Sequence, residues 1–236
     1  MSIMPNGKQP DHQSFPQARR RYVVVTGSIG AGASTLAQAL IDKLGWQGHL
    51  EGHVEEDNAF FADSYLDFPR WGFASQVHFL LASVHRHDAL RSELARVDTA
   101  LPDVIVEDRT PFEHSGAYLA ANESLGRIPL REAQLLRDLT RVLERSYLVP
   151  DLLVFRQLTP AQARSRVAER DRPGEGVAGD ELLEAIRQSF DGFVDRWKSS
   201  PKFIVPAEAD VREPDTRDRL VGDIAAALDS ATTSLG

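Results

Sequence analysis

An α/β fold, with a central parallel five-stranded sheet flanked by helices on both faces, is predicted from three features of the sequence. Short, almost wholly apolar runs alternate with longer helical patterns along the chain, as strands buried on both faces do. The first of these runs, Val23, Val24 and Val25, passes into a glycine-rich turn and then a helical pattern, the order of a phosphate-binding loop. At 236 residues with 42% hydrophobic content, the chain suits one core rather than two.

The elements follow in order. Met1–Gln17 is polar, carries Pro5, Pro10 and Pro16, and has no apolar centre, so residues 1–20 are expected as a disordered leader and 21–236 as a single domain. Strands are expected at Tyr22–Thr26, Val104–Glu107, Leu152–Phe155 and Phe203–Val205, with a fifth somewhere in Gly48–Glu55. After the first strand, Ser34 and Thr35 open a helical pattern. Arg70–Arg96 reads as a long helix with Trp71, Ala74, Val77, His78, Leu81, Val84 and His85 on one stripe. Further helices are expected at Phe112–Glu123, Leu130–Leu148, Pro160–Arg170, Asp180–Trp197 and Asp215–Leu228. Arg172–Gly179 (RPGEGVAG) is rich in glycine and charge and reads as a mobile flap.

Composition narrows the function classes. Lys+Arg 27 against Asp+Glu 35 gives a net charge of −8, which argues against non-specific binding to nucleic acid or an anionic membrane. A few arginines can still focus positive potential in a cleft for a small anion. Cysteine is absent, so disulfides, thiol catalysis and cysteine-metal sites are excluded. No apolar run approaches the roughly 20 residues needed to span a bilayer. A cytoplasmic location is the expectation.

Tyr22–Leu36 reads YVVVTGSIGAGASTL. Against the template G-x-x-x-x-G-K-[ST], Gly27, Gly32 and Ser34 fall in register, with Gly30, Ala31 and Thr35 completing the loop. Position 33, where the template has lysine, is Ala33. The glycines let successive amides form an anion-binding concavity at the positive end of the next helix. The lysine would neutralise charge on the phosphoryl group in flight, a contact whose loss costs about 3–4 kcal/mol. The amide cradle does not need it. A plain tight turn is the alternative for these glycines.

Three further segments, with the loop, resemble the deoxynucleoside kinases in order and spacing. Asn58–Leu81 (NAFFADSYLDFPRWGFASQVHFLL) is similar to that family's N-P-[FY]…R-[WY]-x-F-x-x-Q-x-x-F-L segment. Val104–Thr110 (VIVEDRT) resembles its strand-end D/E-R-S motif, and Arg166–Glu175 (RVAERDRPGE) its arginine-rich lid. Together they cover nearly all of Tyr22–Leu228. The resemblance implies a P-loop kinase three-layer fold and transfer of a γ-phosphoryl group from ATP, or another nucleoside triphosphate, to a nucleoside 5′-hydroxyl with Mg2+.

Such transfer needs a carboxylate to accept the hydroxyl proton. The segment LEGHVEEDN leaves three positions open. Counting forward from the loop favours Glu51, counting back from Asn58 reaches His53, and Glu55 is the third. An acidic solvated turn is the alternative for all three. By resemblance, Ser34 and Asp108 hold the magnesium ion and Arg109 orients the base and the attacking hydroxyl. Gln76 offers an amide donor and acceptor to the base edge, with Phe79 and Phe112 as stacking or wall residues unless they are core. Tyr65 matches the tyrosine that bonds the sugar 3′-hydroxyl, and Glu175 its partner in the lid. His114 stands where the family has a base-reading aspartate, which puts the base preference in doubt. Arg166, Arg170 and Arg172 converge on phosphates as the lid closes, or form a solvated helix with Glu169 and Asp171. Asp210 and Val211 fall in the loop that wraps adenine. The histidines form no metal pattern.

The resemblance also implies a homodimer through Arg70–Arg96 and Leu130–Leu148, although burial within one chain explains their apolar residues equally. Three readings remain. The chain is a nucleoside kinase in which Ala33 is an engineered change, a non-catalytic nucleotide or nucleoside binder acting as a partner or regulatory subunit, or an active natural variant whose lid arginines replace the lysine.

Overall fold

In a computed structural model, which describes residues 20–50, 52, 54–96, 98, 100–170 and 179–233, five parallel strands form one sheet in the order β2-β3-β1-β4-β5. They are β1 (Arg21–Gly27), β2 (Gln47–His49), β3 (Val104–Asp108), β4 (Leu152–Arg156) and β5 (Lys202–Val205). The helices are α1 (Ala33–Leu44), α2 (Val54–Asp57), α3 (Phe61–Leu66), α4 (Phe68–Leu94), α5 (Ala120–Ser124), α6 (Leu130–Leu143), α7 (Pro160–Arg170), α8 (Asp180–Arg196) and α9 (Pro214–Thr233), with a π-helical turn at His114–Leu119.

The two-residue period of the strands sorts side chains onto two cores. Val23, Val25, Val106, Leu152 and Val154 face α1 and α9. Tyr22, Val24, Ile105, Leu153 and Phe155 face α8 and the π-helical turn. Leu36 and Leu40 of α1 are wholly buried, each stabilising the fold by roughly 1.5–3 kcal/mol. Continuous apolar runs explain why β1, β3 and β4 lie within a residue of their predicted bounds.

The structure also corrects the sequence reading. The long helix starts at Phe68, two residues early, because Asp67 accepts a hydrogen bond from the Arg70 amide (3.3 Å) and Pro69 sits in the first turn, where its missing donor costs nothing. Its buried face is not the apolar stripe. Gly72, Ser75, Leu80, Ser83, His87 and Leu90 point inward, whereas Leu81 is 47% exposed. Ser75 and Ser83 on this face line a pocket, and Gly72 leaves room for the Phe68 ring. The expected helix Phe112–Glu123 begins as the π-helical turn, and Leu130–Leu148 stops at Leu143 before a 3-10 turn at Glu144–Ser146. Arg20, assigned to the leader, is buried and donates to the carbonyls of Pro102 (2.8 Å) and Glu93 (3.1 Å). The short helices α2 and α3 escaped the sequence reading, and the expected flap falls outside the described residues, save Gly179.

Candidate active site

The C-terminal ends of β1, β3 and β4 meet at one edge of the sheet, where ligands bind in open α/β folds. Val25 is in register with Asp108, and Gly27 with Arg156. Beyond β1, Gly30 and Gly32 both have φ of 78°, a left-handed conformation that only glycine adopts cheaply. A Cβ on Gly27 would lie 2.8 Å from the Arg156 carbonyl oxygen and 2.6 Å from the Ala31 Cβ. The glycines therefore set a tight loop that delivers its amides to the start of α1. Ser34 and Thr35 are exposed there, while the Ala33 side chain is buried in the α1–α9 core.

One arginine braces this loop and a second lies buried beside it. Arg166 donates from Nη1 to the carbonyls of Gly30 and Ala31, both at 3.2 Å, and from Nη2 to Asp210 at 3.3 Å. Asp210 also binds Arg212 (3.0 Å), whose hydrogen bonds hold its carboxyl down at about 2. Arg166 in this arrangement holds loop carbonyls and Asp210. Val211 is fully buried, and its Cγ2 would stand 3.1 Å from a Cβ on Gly32. The second, Arg156, is wholly buried and donates to the Pro206 carbonyl at 2.6 Å. Burial and the Arg166 charge lower its pKa to about 10, so it stays cationic at neutral pH.

On β3 the motif residues diverge. Asp108 is buried with Oδ1 lacking a hydrogen-bond partner. Arg109 has φ of 69°, the only described non-glycine residue at positive φ, a strain associated with functional sites. Its amide donates to the Val25 carbonyl at 3.0 Å, and its guanidinium reaches the Tyr118 hydroxyl and Glu113 (3.4 Å). Glu113, missed by the sequence reading, is a buried hub. It accepts from the Thr26 hydroxyl at 2.5 Å and the Thr110 amide at 3.0 Å, tying the end of β1 to the turn after β3.

Between this edge and α4 lies a pocket that gathers Tyr65, Gln76, Phe79, Arg109 and His114, together with Glu55. Phe61 meets Tyr65 and Phe79 edge-on, with centroids 5.1 and 5.8 Å apart. The ring of His114 opens the π-helical turn. Burial first, then the nearby Arg86 and Arg109 charges, lowers its pKa to about 3, so it is neutral at physiological pH. Phe112 is not among the lining residues. Its ring packs edge-on between Tyr147 and Trp197, at 5.1 and 5.2 Å, against the core beneath α8, where it is partly buried. Ser83, Arg86, Tyr118, Asn122 and Arg127 also line the pocket and were missed. The signal for two of them was present: Ser83 and Arg86 follow Gln76 and Phe79 at helical spacing. Glu51, His53, Arg172 and Glu175, and the side chain of Arg170, lie outside the described residues.

Among the described residues no group of three or more histidine, aspartate or glutamate side chains is placed to hold a metal ion alone. The Asp108 oxygen without a partner and the exposed Ser34 hydroxyl do fit a hard cation that phosphates help to hold. No helix among the described residues is long and apolar enough to cross a membrane.

Known proteins are similar to this chain in sequence and in fold. The deoxynucleoside kinase family model matches residues 23–229. The chain is 27% identical over 195 residues to a deoxyguanosine kinase of Lactobacillus acidophilus, covering 79% of this chain and 80% of that one. It is 23% identical over 181 residues to a deoxyadenosine/deoxycytidine kinase of Bacillus subtilis, covering 76% and 79%. Its fold is similar to that of the deoxyadenosine kinase from M. mycoides with bound dATP, at a TM-score of 0.73 and 23% identity, over 87% of this chain and 99% of that one. With its parallel sheet, glycine loop and pocket aligned on one edge, the chain belongs to the deoxynucleoside kinase family.

Proposed function

We propose that the chain is an ATP-dependent nucleoside kinase whose turnover is limited by Ala33. The observation that carries this reading is the shared edge. The glycine loop, the Asp108–Arg109 strand end and the α4 pocket all open onto the C-terminal ends of neighbouring strands. A nucleoside lying against Gln76 and Phe79 directs its 5′-hydroxyl toward the loop, where the γ-phosphoryl of the triphosphate is held by amides. Arg109, fixed by Glu113 and Tyr118, orients the sugar and the attacking hydroxyl. Of the three positions open as general base, Glu55 is the described one and lines the pocket. Glu51, which the count from the loop favours, His53 and Glu55 all remain open, and substituting each in turn tests which of them takes the hydroxyl proton. Ser34 and Asp108 would hold Mg2+, which supplies charge neutralisation at the phosphates. Asp210 and Val211 border the adenine, and Arg170, Arg172 and Glu175 complete the lid over phosphate and sugar.

Loss of the lysine removes a transition-state contact and leaves nucleotide binding to the loop amides. Ala33→Lys is therefore expected to raise turnover roughly 100- to 1,000-fold in a γ-phosphoryl transfer assay across ribo- and deoxynucleosides. High activity of the parent chain would instead assign the missing charge to arginine or loop amides. Silence of both proteins, with nucleotide still bound, would favour a non-catalytic binder. The exposed apolar residues Leu81, Leu130, Leu135 and Val142 of α4 and α6 support a homodimer through those helices, which sedimentation equilibrium measures.

A further inference from the structure

Arg156 closes β4 beside the first glycine of the phosphate loop. It is in register with Gly27, and a Cβ on Gly27 would meet the Arg156 Cβ at 3.3 Å. The two-residue period of the strand places Leu152, Val154 and Arg156 on one face. Leu152 and Val154 join the core that also buries Ala33 and Val211. The arginine therefore stands on the side of the sheet where the template lysine is missing. Its side chain is wholly buried. Nη1 donates to the carbonyls of Gln157 (2.8 Å) and Pro206 (2.6 Å). Among the described residues Nε and Nη2 have no hydrogen-bond partner.

A buried cation with two idle donors is destabilising unless something balances its charge. Burial first and the Arg166 charge second lower its pKa to about 10, so it keeps its proton at neutral pH. Asp210 and Glu208 attract it through space. Asp210, however, already serves Arg166 at 3.3 Å and Arg212 at 3.0 Å, and Glu208 is exposed. Arg166, whose side chain is 11% exposed, adds a second cation against the loop carbonyls. Two largely desolvated positive charges thus stand beside the loop, and the half-buried carboxylate near them is shared. A polyanion seated on the loop amides brings the negative charge that this arrangement lacks.

We propose, resting on the nucleoside-kinase reading, that Arg156 is a positioning residue for the polyphosphate of the phosphoryl donor. Its charge acts across the loop and not by contact, and supplies at longer range part of the attraction lost with the lysine at position 33. A different use of the residue, bracing the 206–211 loop through the Pro206 carbonyl, would serve the base of the donor and leave its phosphates indifferent.

Calorimetry of the full chain with the Mg2+ complexes of ATP and of tripolyphosphate, which has no base, separates the two roles. Arg156→Gln keeps a donor for the Pro206 carbonyl without the charge, and Arg156→Lys keeps both donor and charge. Arg156→Gln should weaken ATP and tripolyphosphate alike by roughly tenfold or more, the order expected of one unit charge in a poorly hydrated place. Arg156→Lys should stay within about threefold of the parent for both. Loss of ATP binding with tripolyphosphate binding intact would make Arg156 a brace of the 206–211 loop and overturn the proposal. Equal losses in the glutamine and lysine variants, or no loss in Arg156→Gln, would overturn it as well. Thermal unfolding shows whether each variant folds, and Arg156→Met is the neutral variant if Arg156→Gln does not. The parent chain gives an independent arm: tripolyphosphate should displace ATP from it, and failure to do so overturns the proposal. All of these failures leave the kinase reading standing, whereas a parent chain that binds no ATP brings both down.

Discussion

Glu113→Ala is the sharpest test of how this site is built. The carboxylate is 1% exposed and accepts hydrogen bonds from the Thr26 hydroxyl, the Thr110 amide and Arg109. Thr26 and Thr110 are themselves 0% and 1% exposed, so water does not replace the lost acceptor. A stranded buried donor costs about 1–3 kcal/mol, and the Thr26 hydroxyl can rotate to recover part of this. The expected destabilisation is about 2–5 kcal/mol. For a chain of this size about 1 kcal/mol lowers Tm by roughly 2–4 °C, so the variant should melt between about 4 and 20 °C lower. Glu113→Gln keeps one acceptor oxygen and should lose less than half as much. Arg109 also loses a partner, so nucleoside affinity should fall at least about tenfold by the same unpaired-group argument. Differential scanning calorimetry and nucleoside titration on all three proteins give both quantities. A Glu113→Ala protein melting within about 2 °C of its parent would refute the view that this carboxylate joins β1 to the β3 turn.

Three further outcomes are expected. Arg109→Ala should abolish nucleoside binding in calorimetry, and unchanged affinity would remove Arg109 from the site. Arg109→Gly should bind no better yet melt above Arg109→Ala by a few degrees, because glycine relieves about 1 kcal/mol of left-handed strain at φ 69°. The pKa of His114 falls from 6.5 to about 3 on folding, under burial and the Arg86 and Arg109 charges. Its contribution is therefore present above about pH 6.5 and is lost as pH falls toward 3, since the unfolded chain then binds the extra proton. The slope is at most about 1.4 kcal/mol per pH unit. Urea midpoints at pH 7.5 and 5 should differ less in His114→Asn than in the parent chain, and equal pH dependence would show that the imidazole is not buried as described.

Much of the fold was legible because its signals are local. Three or more consecutive apolar residues in β1, β3 and β4 announce strands buried on both faces, and the spacing of Gly27, Gly30 and Gly32 announces the loop. Pro160–Arg170 was found to the residue, since Pro160 can start a helix but not continue one. The π-helical turn left no local signal. Its first residue, His114, was singled out only through the family resemblance. The α4 stripe was misread for a physical reason. Periodicity reports which residues are apolar, whereas the buried face of α4 carries Ser75 and Ser83, which line the pocket, and Gly72, which admits the Phe68 ring. Glu113 and Arg86 were missed because an acidic and a basic residue on a helix look like solvated charges until their partners are known. Thr26 lies 87 residues from Glu113, and Glu107 lies in a different element from Arg86.

The sequence by itself determined the parallel α/β architecture, the phosphate loop with alanine in place of lysine, and membership of a kinase family, because strand burial, glycine conformation and motif spacing are properties of neighbouring residues. Tertiary structure alone decided that Phe112 belongs to the core, that Arg166 braces the loop it was expected to serve, and that Arg86, Ser83 and His114 meet at one end of the pocket. Each of those outcomes depends on which distant side chain supplies a partner or excludes water, and chain order does not encode that distance.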